Sequence, residues 1–213
     1  MSARYPGYDV MRKRQGPSWN EPTRRAVDER LALAPEPRFF DRDQWRTLNA
    51  VCARILPQPI DRPPVPVAAL VDAKVFGQRG DGYRDARLPP LQQAWRLGLA
   101  ALDAEARGHY QQPFSELAAY RQDALLGAMQ RGQLNDGAWC GMPAALFFAE
   151  RLVHDITAVY YAHPTAWNEI GFGGPAGPRG YVRLDSDKRD AWEAAEATPQ
   201  HADKALELNR RVR

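Results

Sequence analysis

The chain has 213 residues, 44% hydrophobic and 26% charged, which suits one folded core with extensions and not a disordered chain. The net charge is +3 and the sequence pI about 9.0, and no dense basic stripe accompanies them, which argues against nucleic acid as the main ligand. No apolar run reaches the ~18 residues that cross a bilayer, and Cys52 and Cys140 lack the CxxC spacing of zinc or thioredoxin-like chemistry.

Residues 1–38 carry prolines at 6, 17, 22, 35 and 37 among scattered charges. A short helix is expected from about Glu21 to Leu33, and the remainder reads as an extended N-terminal arm. Tyr5, Tyr8 and Trp19 are unusual in a disordered arm and suggest that it packs on something. There is no apolar h-region, and the residues after Arg24-Arg25 are too charged for a twin-arginine signal, so no export signal is read.

Residues 39–165 are expected to form a helical domain. Asp41 followed by Gln44 makes a capping box for the first helix. Trp45, Leu48, Cys52 and Ile55 then draw one apolar face, and Pro57 stops it. Two further helices are expected over about 67–76 and 90–108, the latter with Leu91, Trp95, Leu99, Leu102 and Ala106 inward. A fourth is expected over 119–130, carrying Leu125, Leu126 and Met129. The fifth and most apolar is expected as one helix over about 143–162. No stretch alternates with period two, so the fold class is all-α. Residues 166–184 read as a Gly- and aromatic-rich loop and 185–213 as a charged C-terminal tail.

Catalytic patterns are sparse. Glu150 and His154 lie four apart and share a helix face, while Asp155 is expected to point elsewhere. Di-iron bundles use Glu-x-x-His pairs, and no such pair occurs in the sequence. Glu150 with His154 is therefore read first as a structural pair; the alternative is a stand-alone metal-dependent enzyme built on those two residues. Cys52 lies on an apolar face, which argues for packing. His163 is placed as a cation at the end of the fifth helix.

The segment HPTAWNEIGFGGPAGPRGYVRL, residues 163–184, holds five glycines between Gly171 and Gly180. Gly171-Phe172-Gly173-Gly174-Pro175-Ala176 formally matches a dinucleotide fingerprint. A helix precedes it, however, and Pro175 and Pro178 remove amides that a pyrophosphate would need. From composition, two readings stay open: a loop packed on this chain's own helices, or a protein-binding surface anchored by Trp167, Arg179 and Tyr181.

At this segment the chain resembles the gluconate 2-dehydrogenase subunit 3 family. The resemblance rests on a helix ending in Tyr160-Tyr161, then His163-Pro164, Trp167 and Ile170 to Pro175. The central stretch 98–132 and ILPQ at the end of the first helix agree with it. It implies a small, non-catalytic subunit with no cofactor of its own. The implied partner is an FAD-dependent large subunit of the glucose-methanol-choline class that oxidises a sugar or alcohol, often with a cytochrome c subunit. No nucleic acid partner and no membrane span are expected, from the charge balance and the lack of a long apolar run. Family members commonly carry a twin-arginine signal. Since none is read here, the expectation is either a cytoplasmic complex or export on a signal-bearing partner. The partner interface is expected at Trp19, Tyr160, Tyr161, His163, Trp167, Asn168, Glu169, Phe172, Arg179, Tyr181 and Trp192.

Overall fold

A computed structural model describes residues 4–60, 62–80, 82–134, 136–177, 180 and 192–212. Among these residues every regular element is helical, which bears out the all-α class. The chain divides into two compact units, residues 34–160 and residues 1–33 with 161–213.

The 34–160 unit holds α2 (Arg42–Ile55), α3 (Val67–Phe76), α4 (Leu91–Tyr110) and α5 (Ala119–Gln130). Asp41 closes the capping box on α2: its carboxylate accepts from the Asp43 and Gln44 amides, and Gln44 reaches back. Helix α2 packs against α3, α4 and α5. Its inward face is Leu48, Val51 and Cys52. Burial pushes the Cys52 thiol up to about 12, because a thiolate there would lose its water. Cys140 is exposed, and both thiols are free. Trp45 is only half-buried, one turn too near the helix start to reach the core that Trp95 fills completely.

The expected fifth helix is present but interrupted. An α-helical turn, α6 (Ala144–Phe147), passes into a π-helical stretch, Phe148–Val153, and resumes as α7 (His154–Tyr161). Arg151, within that stretch, and Asp155 form an i,i+4 pair inside the unit, with the guanidinium 3.7 Å from the carboxylate. Asp155 is fully buried; it also accepts from Lys74 Nζ at 2.8 Å and Trp95 Nε1 at 2.9 Å. His154 Nδ1 lies 3.3 Å from the same carboxylate. Asp155 thus faces His154 after all, while Glu150 is exposed.

The other unit gathers the two ends of the chain. Residues Val10–Gln15 form a 3-10 turn, and α1 (Glu21–Leu31) is capped by the Asn20 side chain on the Thr23 amide. Helix α8 (Pro164–Ile170) packs against both. In the expected charged tail, α9 (Ala202–Arg210) forms, with Ala205 and Asn209 turned inward. Asn209 donates to the carbonyls of Pro6 and Ala195 and accepts the Ala195 amide, so one side chain ties α9 to both ends of the unit. The expected arm of residues 1–38 is therefore largely folded within its described part. Tyr8, Val10, Trp19 and Val27 share a core with Trp167 and Val212.

Candidate functional site

The Gly-rich ending forms a cradle. Helix α8 opens at His163, whose Nδ1 accepts from the Thr165 amide at 3.3 Å. His163 therefore sits at the start of α8 as its N-cap, beyond the end of α7 at Tyr161 and not within its last turn. Trp167 lies on the inner face of α8, 2% exposed, and its indole N–H donates to the Tyr161 carbonyl at 2.9 Å. The helix closes at Gly171 in a left-handed conformation, φ 66°, and the Phe172 amide returns to the Trp167 carbonyl at 3.0 Å.

The N-terminal segment fills the space that the missing side chains leave. A Cβ on Gly171 would stand 2.6 Å from the Tyr5 ring. One on Gly174, φ +68°, would stand 3.0 Å from Trp19 and 3.1 Å from Val10. Glycine is required at both positions twice over, by conformation and by close approach. Lys13, fully buried, donates from Nζ to the Gly173 carbonyl at 2.6 Å. The Asn20 amide donates to the Gly177 carbonyl at 2.7 Å, and Asn168 Oδ1 accepts the Val10 amide at 2.8 Å. These bonds register residues 10–20 along the loop, and the aromatic contacts exclude water from between them.

The expected interface residues separate by burial. Trp19, His163 and Trp167 are buried in the terminal unit, and Tyr160 is buried in the other, where its hydroxyl accepts from Arg62 at 2.7 Å. Asn168, Glu169 and Trp192 are half-buried. Tyr161 and Phe172 are 40% and 39% exposed, and beside them in sequence Ile170, which the sequence reading did not select, is 45% exposed. The Phe172 ring stands edge-on to Trp167 at 5.4 Å, so an exposed ring rests on a buried one. Arg179 and Tyr181 lie outside the described residues. Lys13 and Val10 were also missed. A buried lysine leaves no mark in a sequence, since the same residue on a surface reads identically.

Two chemical readings can be set against this geometry. The dinucleotide match follows α8, not a strand, and its backbone is taken up by the N-terminal segment. His154 turns to Asp155, not to Glu150, and among the described residues no group of three or more His, Cys, Asp or Glu side chains gathers as metal ligands do. Among the described residues no helix is long and apolar enough to cross a membrane.

No curated protein and no solved structure matches the chain. A family model described as gluconate 2-dehydrogenase subunit 3 matches residues 42–174, from the start of α2 to the middle of the cradle.

Proposed function

The chain belongs to the gluconate 2-dehydrogenase subunit 3 family, and from that premise we propose that it is the non-catalytic small subunit of an FAD-dependent sugar or alcohol dehydrogenase of the glucose-methanol-choline class. In this reading the large subunit holds FAD and performs the oxidation. This chain binds that subunit in its folded form and stabilises it by mass action, by about 2.7 kcal/mol when its free concentration is a hundred times the dissociation constant.

The observation that carries the reading is the family match itself, which runs through 42–174 and ends within the cradle. Its physical support is the way that ending is built. Four buried or half-buried partners from the N-terminal segment hold the loop, and the loop in turn holds out Phe172, with Ile170 and Tyr161 exposed near it in sequence. Apolar groups held rigidly in water lose little entropy when a partner covers them. Docking therefore falls to this exposed rim, while Trp19 and Trp167 act beneath it as its support.

The test is co-purification of the tagged full chain at native expression level, followed by the flavin spectrum and polyol oxidation of what accompanies it. The reading expects flavin and activity in the accompanying chain, and loss of that chain from Phe172→Asp protein that still folds. Stoichiometric FAD with sugar turnover in this chain alone would overturn it.

A further inference from the structure

The 34–160 unit carries a surface that its own packing does not use. Arg38 lies in the turn before α2, Phe76 at the end of α3 and Arg96 on α4. The Arg38 guanidinium sits over the Phe76 ring at 5.0 Å, and the Arg96 guanidinium over Phe39 at 4.3 Å. Both arginines are exposed, Phe76 is 51% exposed, and Phe39 is half-buried. Among the described residues neither guanidinium has a hydrogen-bonded or ion-paired partner. A guanidinium over a ring with no hydrogen-bonded partner keeps N–H groups available, and those form a fork matched to a carboxylate.

The patch is held rigidly from below. Asp72 of α3 is 1% exposed, and its carboxylate accepts the backbone amides of Arg38, Phe39 and Phe40 at 2.8, 3.0 and 3.1 Å. Three consecutive amides on one buried carboxylate fix the turn that presents Arg38 and Phe39. Phe39 also meets Phe40 edge-on at 5.0 Å, and Phe40 is buried against Trp95.

We propose that Arg38, Phe39, Phe76 and Arg96 form a docking face for a carboxylate-bearing surface of the flavoprotein subunit, an inference that rests on the small-subunit reading above. Charge selects the occupant. Two separate cations, each over an aromatic ring, suit paired Asp or Glu side chains. They are too few for a phosphate polymer, whose binding takes a basic stripe. A second copy meeting this face about a two-fold axis would set arginine against arginine.

The test uses the full chain and the flavoprotein that co-purifies with it, re-mixed at low and moderate salt. The double variant Arg38→Gln with Arg96→Gln is expected to bind ten- to a hundredfold more weakly (about 1.4 kcal/mol per factor of ten) and with a flatter salt dependence. Its unfolding transition should match the wild type, since both side chains lie on the surface. Restoring charge with lysine at both positions should recover the salt dependence but only part of the affinity. Binding within twofold of wild type at an unchanged salt slope would overturn the docking face while leaving the small-subunit reading intact. A wild-type chain that forms no complex with any flavoprotein overturns both. Self-association abolished by the same double variant would assign the face to a second copy and overturn the proposal.

Discussion

Replacing Trp167 by alanine separates a supporting core residue from a contact residue without any partner present. The indole is 2% exposed, shares its core with Tyr8, Val10, Trp19, Val27 and Val212, and donates to the Tyr161 carbonyl. Truncating a buried tryptophan costs about 3–5 kcal/mol, the spread reflecting how far the cavity collapses. The edge-on contact with Phe172 accounts for about 0.5–1.5 kcal/mol within that figure. The hydrogen bond adds little, because the Tyr161 carbonyl can turn to water. At about 4–8 °C per kcal/mol for a unit of 60–100 residues, the melting point of the terminal unit should fall by roughly 20 °C. Urea unfolding of the isolated chain, followed by tryptophan fluorescence and by circular dichroism, reads the free-energy loss, and a thermal melt reads the shift. Trp167→Phe should lose less than half as much, since most of the cavity stays filled. A loss below about 1 kcal/mol for Trp167→Ala would refute the cradle: a residue so cheaply removed is not the floor on which the loop and the N-terminal segment meet.

Gly174→Ala should destabilise the same unit by about 1 kcal/mol or more through its left-handed backbone, with a further penalty from contact with Trp19, and the urea midpoint reads both. Asp155→Asn should cost about 1.5–3 kcal/mol in the 34–160 unit, because the buried charged acceptor of the Lys74 and Trp95 bonds becomes a neutral amide; unfolding of the full chain checks it. A disulfide reagent at neutral pH should modify one thiol per native chain, Cys140, and two in urea, since Cys52 is buried and its thiol protonated. Burial raises Cys52 from an ordinary 9.0 to about 12, so the thiol is neutral in both states below pH 9. Above that the unfolded chain ionises first. The stability difference between wild type and Cys52→Ala should then fall by about 1.4 kcal/mol per pH unit as pH rises from 9 toward 12.

The helices of the 34–160 unit were legible because their signals are local. The Asp41–Gln44 box, the three- and four-residue apolar steps and the flanking prolines fix α2 to α5 within a residue or two. The π-helical stretch at 148–153 was not legible, since Ala149 to Val153 read as ordinary helix. Beside it, Asp155 meets Lys74 and Trp95, partners that lie about 60–80 residues away in the chain and leave no local mark. Helix α9 was missed because a short, charged helix has little apolar periodicity to show. Its inward face is mostly Ala205 and Asn209, and the asparagine's value lies in bonds to Pro6 and Ala195.

The sequence marked residues 163–184 as the place to look, through its density of glycine and aromatic side chains. It left open which side of the loop would face water, because a glycine has no side chain to declare a preference. Burial of Trp19, His163 and Trp167, exposure of Ile170 and Phe172, and the seating of Lys13 against Gly173 depend on groups about 150 residues apart in the chain. Local propensity sets where helices start and stop. Which glycine receives which ring is set only when the two ends of the chain meet, by the shapes that each can fill in the other.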